Sequence, residues 1–204
     1  WNRVVAVVVQ PGVEFGDSIV FDYERDKSKE LVDVIENYPN IVYEAHSTDY
    51  QTRDSLKNLV RDHFAIRKVG AGLTFAFREA VFALARIEDE LFPNDERSNF
   101  IQVLDDVMIQ NPEYWKKYYR GSEEELAFKR KFSFSDRIRY YWPDPKVALA
   151  LNKLLKNLNE KPIPLSLLSQ FLPIQYERIR RNEIARTPDA VILDSIQAVS
   201  LNYE

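Results

Sequence analysis

The sequence predicts an α/β fold: the C-terminal part of a (β/α)8 TIM-type barrel over residues 1–92, followed by an all-helical extension over residues 93–204. Three observations predict it. Short β-branched runs alternate with helical patterns early in the chain, and each run ends in polar or small residues. Beyond Phe92-Pro93-Asn94 the strand signal stops and only helical patterns punctuated by proline remain.

The first run, Val4 to Val9, is continuously β-branched or small and predicts a strand buried on both faces, as in parallel sheets covered by helices. Asn40 to His46 and Phe64 to Val69 predict two more. Between them Leu31, Val34, Ile35 and Tyr38, then Leu56, Leu59 and Val60, recur at helical spacing. A third helix is expected after Thr74, carrying Phe77, Val81, Leu84 and Ile87. The strand ends carry Gln10 and Glu14, then Glu44, His46 and Asp49, then Gly70 and Gly72, which suits the mouth of a barrel better than a dinucleotide fingerprint. Trp1-Asn2-Arg3 runs straight into the first strand, which predicts a chain entered in mid-fold. Barrel closure takes eight strands, so about five βα units are expected outside this sequence.

The extension announces its helix starts. Asn111-Pro112, Asp144-Pro145 and Thr187-Pro188 place a capping residue before a first-turn proline, and Ser122 with Glu125 forms a capping box. Leu151, Leu154, Leu155 and Leu158, then Val191, Ile192, Ile196 and Val199, supply apolar stripes for docking.

Composition narrows the chemistry. With 204 residues, 45% of them hydrophobic and 29% charged, the chain can build a sizeable core. Val4 to Val9 is far shorter than the roughly 18 to 20 residues of a membrane helix, and no signal segment is visible, so a cytoplasmic protein is expected. The absence of cysteine removes disulfides, thiolate metal sites and thiol nucleophiles. A net charge of −4 argues against a nucleic-acid partner and leaves small, locally bound phosphates.

Residues two apart share a strand face, so Glu44 and His46 project together at the carboxyl end, where barrel active sites lie. They are candidates for acid–base work or for ligands of a divalent metal such as zinc; alternatively they bond each other and position the Ser47 to Thr52 loop. Lys68, on the third strand, is a candidate nucleophile, with a salt bridge to Glu44 or a phosphate counter-charge as the alternatives. Gly70 to Thr74 joins a strand to a helix. Its amides, with Gly70, Gly72, Thr74 and Asp49 as the candidate residues, suit substrate or phosphate, although the glycines could serve the turn alone. His63 falls near a helix C-terminus at the opposite end of the strands. Arg78 and Glu79 are expected in solvated or inter-helix salt bridges. Tyr114 to Arg120 and Arg137 to Trp142 alternate aromatics with cations as an amphipathic helix would, which predicts core or subunit contact. No Gly-Lys-Ser/Thr phosphate loop or kinase signature is present.

Several motifs in order carry a resemblance. Val7 to Phe15 (VVVQPGVEF), Val42 to Thr52 (VYEAHSTDYQT) and Leu73 to Ala76 (LTFA) resemble the GatZ/KbaZ family. So do Tyr114 to Tyr119, Ser135 to Pro143 (SDRIRYYWP), Ile163 to Leu165, Ser169 to Pro173 (SQFLP) and Gln175-Tyr176. The family comprises the so-called non-catalytic subunit of class II D-tagatose-1,6-bisphosphate aldolase, some of whose members carry the label tagatose 6-phosphate kinase. The resemblance covers essentially the whole chain and implies the C-terminal half of a barrel with added helices. It further implies an oligomeric accessory protein that supports a separate, zinc-using catalytic subunit in galactitol and N-acetylgalactosamine catabolism. No catalytic residue carries over from the family. The rival reading is a sugar-phosphate enzyme in its own right, an aldolase- or epimerase-like lyase using Glu44, His46 and Lys68.

Overall fold

The computed structural model describes residues 3–204; Trp1 and Asn2, on which the mid-fold expectation partly rests, lie outside the described residues. Strand β1 (Ala6–Val9) leads through the left-handed Gly12 (φ 90°) into a small antiparallel hairpin of β2 (Glu14–Phe15) and β3 (Val20–Phe21). Helix α1 (Lys29–Ile35), strand β4 (Val42–Ala45), helix α2 (Arg53–Arg61), strand β5 (Ile66–Arg67) and helix α3 (Ala71–Leu91) follow. The three longer-range strands pair in parallel in the order β1-β4-β5, which is the predicted alternation. The hairpin was not predicted, because two-residue strands are too short to show a period.

Register decides the faces. Val8 lies opposite Glu44, and Glu44 opposite Ile66, so these side chains share one side of the sheet. Tyr43 and Ala45 project to the other side and are buried with Ile35, Leu56, Leu59 and Phe64. The expectation that the first strand is buried on both faces needs correction: Val7 is 41% and Val8 56% exposed. Helices bury Tyr43 and Ala45 on one face, whereas Val7 on that same face of edge strand β1, and Val8 and Ile66 on the opposite face, stay in solvent. Among the described residues no barrel closes, since the sheet has three strands and the outer edges of β1 and β5 are unpaired.

The remaining helices are α4 (Phe100–Gln110), α5 (Glu123–Phe132), α6 (Pro145–Glu160), α7 (Leu165–Phe171), α8 (Pro173–Arg180) and α9 (Pro188–Leu201). They assemble around α3, which packs against α4, α6, α7 and α9. Ala80, Val81, Leu84 and Ile87 of α3 are buried in one cluster with Leu104, Met108, Leu154 and Val191. The helix that sequence assigns to the barrel half therefore serves as the spine of the helical half.

The capping signals mostly act as expected. Ser122 and Glu125 form the reciprocal box, Asp144 accepts from the Lys146 amide at 2.8 Å, and Thr187 accepts from Ala190 at 3.4 Å. Asn111 makes no side-chain cap, and Pro112 opens only a 3-10 turn to Tyr114. The aromatic segments are likewise not amphipathic α-helices. Arg137–Tyr141 is a 3-10 turn, whose three-residue period puts both Ile138 and Tyr141 into the core. Trp115 and Tyr119 are also buried, with Trp115 Nε1 donating to the Met108 carbonyl at 2.6 Å. Among the described residues no helix is long and apolar enough to cross a membrane.

Candidate functional site

The carboxyl ends of β4 and β5 bring Glu44, His46 and Lys68 together. The Lys68 amide donates to the Ala45 carbonyl at 2.9 Å, which sets the two strand ends side by side. Glu44 Oε1 then accepts from His46 Nε2 at 2.8 Å and from Lys68 Nζ at 2.9 Å. With Glu44 ionised, the first contact requires a proton on Nε2. The Lys68 ammonium and then His46 hold the Glu44 carboxyl below the ordinary carboxylate range. This is the salt-bridge alternative raised for Lys68, whose side chain is 60% exposed and so lacks the desolvation that activates a Schiff-base lysine. Glu44 and His46 offer two donors, whereas catalytic zinc takes three protein ligands, and no group of three potential ligands occurs among the described residues. These residues do not make a zinc site by themselves.

The loop after β4 is tied in every direction. Thr48 Oγ1 donates to the Lys68 carbonyl at 2.7 Å, and the Thr48 carbonyl accepts from Tyr203 Oη at 2.6 Å. Tyr50 Oη donates to the Phe134 carbonyl at 2.6 Å. Gln51 bonds the hairpin both ways, donating to Phe21 and accepting from the Tyr23 amide, each at 2.9 Å. Thr52 caps α2 by accepting from Ser55. Ser47 and Tyr50 adopt left-handed backbone (φ 55° and 65°), a conformation non-glycine residues hold only where surroundings over-determine it.

Asp49 fills the place foreseen for an anion. Its Oδ1 accepts from the Gly70 amide at 2.8 Å and the Gly72 amide at 2.7 Å, so the protein's own carboxylate occupies the helix N-terminus. A Cβ on Gly72 would stand 3.3 Å from that oxygen, which explains the small residue there. Thr74 Oγ1 donates instead to Asp136, which sits in left-handed backbone at φ 47° and also pairs with Arg78 Nε at 3.0 Å. Arg78 is fully buried over the Phe75 ring, and burial pushes the Asp136 carboxyl up. A cavity of about 340 Å³ lies behind the loop, lined by Tyr50, Gln51, Gly72, Phe75 and Glu79 among others. Its lining holds a carboxylate and no Lys or Arg, and none of Glu44, His46 and Lys68.

The strand-end trio is legible in the sequence, whereas the inward-facing anchors Thr48, Gln51, Asp136 and Tyr203 are not. Their partners lie tens of residues away, beyond the reach of any spacing rule; the one local hint was a run of adjacent polar residues within a single motif.

A family model described as D-tagatose-1,6-bisphosphate aldolase subunit GatZ/KbaZ-like matches residues 1–204. The chain is also similar to a crystal structure of a probable tagatose 6 phosphate kinase from Sinorhizobium meliloti 1021, at 48% identity and a TM-score of 0.95. That match covers 99% of this chain and 52% of the other, so this chain spans about half the length of that relative. With motifs in order from Val7 to Tyr176 and a model match from end to end, the chain belongs to the GatZ/KbaZ-like family of D-tagatose-1,6-bisphosphate aldolase subunits.

Proposed function

We propose that this chain is the C-terminal part of an accessory, non-catalytic subunit of class II D-tagatose-1,6-bisphosphate aldolase. In this reading it supports the activity and stability of a separate catalytic subunit in galactitol and N-acetylgalactosamine catabolism. One observation carries it: the polar groups at the strand ends are spent on one another. Glu44 is held by His46 and Lys68, and Asp49 by the Gly70 and Gly72 amides, so acid, base and anion-binding amides all have internal partners. Family membership supports the subunit role.

The same proposal makes β1, β4 and β5 three staves of a TIM-type barrel. Val8, Glu44 and Ile66 then line its interior, which accounts for apolar side chains left in solvent on the sheet face away from the helices. The test is reconstitution with full-length protein. Purified alone, it should leave D-tagatose 1,6-bisphosphate intact with or without zinc; mixed with the catalytic subunit, it should co-elute and raise that subunit's activity. Turnover alone, or the lack of any complex, contradicts the proposal.

The juxtaposition of Glu44, His46 and Lys68 at the strand ends favours a second reading, a sugar-phosphate lyase or epimerase in its own right, which predicts turnover abolished by Lys68→Ala. A sugar-phosphate kinase predicts nucleotide binding, and isothermal titration with ATP is expected to show none.

A further inference from the structure

The aromatic and basic segments divide their side chains between core and solvent. Asp136, Ile138 and Tyr141 are buried and anchor the 3-10 turn, so the intervening Arg137, Arg139 and Tyr140 are turned outward on a fixed backbone. Arg137 stacks on the Tyr118 ring, 3.3 Å from its centroid, and lies 5.5 Å from that of Tyr140. Tyr140 stacks in turn on Tyr114 at 5.3 Å, and Arg139 is tied to the Tyr140 hydroxyl and two backbone carbonyls. Tyr114, Tyr118 and Tyr140 are all exposed.

Two features mark this surface. Arg130 meets a carboxylate at 2.6 Å, whereas Arg137, like Arg67 over the Tyr203 ring, is held by ring faces and has a buried Nε with no hydrogen-bond partner among the described residues. Three cations meet on these rings, on a chain of net charge −4: Lys117 lies 5.1 Å from the Tyr118 centroid, Arg137 3.3 Å from the same ring and Arg139 4.8 Å from that of Tyr140. Tyr118 registers these charges, its phenol held below the ordinary value by Lys117 and then Arg137. A stacked guanidinium offers its remaining N–H groups to a planar carboxylate, and clustered Tyr and Arg on a pre-ordered backbone are the residues that dominate protein interfaces.

We propose that this Tyr114-Tyr118-Arg137-Tyr140 surface is the docking site for the catalytic subunit, and that it takes Asp or Glu side chains from an acidic patch of that partner. This rests on the accessory-subunit reading. Charge complementarity selects the occupant: a stacked arginine with no carboxylate partner, beside Lys117 and Arg139, fits a carboxylate-bearing surface.

The test titrates full-length protein with purified catalytic subunit and compares wild type with Arg137→Glu, Tyr118→Ala and the distant charge-matched control Lys57→Glu. Circular dichroism melts check that each variant folds. Arg137→Glu and Tyr118→Ala are expected to raise Kd at least about tenfold, with Lys57→Glu unchanged, and wild-type affinity should fall with added salt. Wild-type binding that survives Arg137→Glu overturns the docking site and leaves the accessory role standing; no wild-type complex overturns both. An Arg137→Glu that dissolves a homo-oligomer while the mixed complex persists assigns the surface to a second copy, and equal losses in Arg137→Glu and Lys57→Glu assign the effect to net charge. Either overturns the proposal.

Discussion

Arg78 and Asp136 are the two opposite charges withdrawn most completely from water, with side chains 2% and 0% exposed. Removing one partner of such a pair strands the other, so Arg78→Leu should cost about 3–5 kcal/mol in denaturant unfolding at pH 7. Burial raises the folded pKa of Asp136, so its protonated form favours the folded state. The deficit should therefore shrink as pH falls toward 4. Tyr23, Arg25 and Asp62 make a second network, with Tyr23 Oη and Arg25 Nε both on Asp62 Oδ2 at 2.9 and 2.8 Å. Burial pushes the Tyr23 phenol up to about 12, while Arg25 holds Asp62 below its ordinary value. Tyr23 thus contributes stability that is whole below pH 10 and lost as pH rises through about 12. Tyr23→Phe should cost about 1 kcal/mol at neutral pH and flatten the alkaline limb of the stability profile. At this scale Glu44-His46 was legible because a strand's two-residue period is local. Asp49 on Gly70 was not, since a contact 21 residues distant leaves no periodic trace.

Among elements, β-branched runs and caps could be read because each depends on a few adjacent side chains. The β2-β3 hairpin, the 3-10 turns and α4 could not. The first two are too short for a period, and α4 begins after Asn99 in left-handed backbone with no side-chain cap to announce it. The least foreseeable feature is the return of the chain after α9. Tyr203 donates to the Thr48 carbonyl at 2.6 Å, its own carbonyl accepts from Arg67 at 2.6 Å, and Arg67 lies over its ring at 5.5 Å. This clamps the helical half onto the β4 and β5 ends. Tyr203→Ala should cost about 2–3 kcal/mol through lost burial and hydrogen bonding. Hydrogen exchange should accelerate first at residues 47–52 and only then in α3; uniform acceleration would contradict the clamp.

At the scale of the whole molecule, Val8 and Ile66 stay exposed on the sheet face opposite the buried Tyr43 and Ala45. If that exposed face is a barrel interior in the full-length protein, Val8→Asp should destabilise that protein by more than about 2 kcal/mol while leaving the 204-residue chain nearly unaffected, because Val8 is 56% exposed in the latter. Equal effects in both would remove the barrel reading. The alternation of parallel strands and helices was legible in the β-branched runs; barrel closure was not, because three parallel strands order alike in an open sheet and in a barrel. The larger claim is that Glu44, His46 and Lys68 are spent on one another and perform no chemistry on substrate. The thermal-inactivation half-life and specific activity of the catalytic subunit, measured with full-length protein carrying Glu44→Gln, His46→Gln and Lys68→Met together, test it most directly. The account predicts that the triple variant protects and activates the partner as well as wild type does. Loss of aldolase activity with an intact complex would contradict it and return those three residues to catalysis.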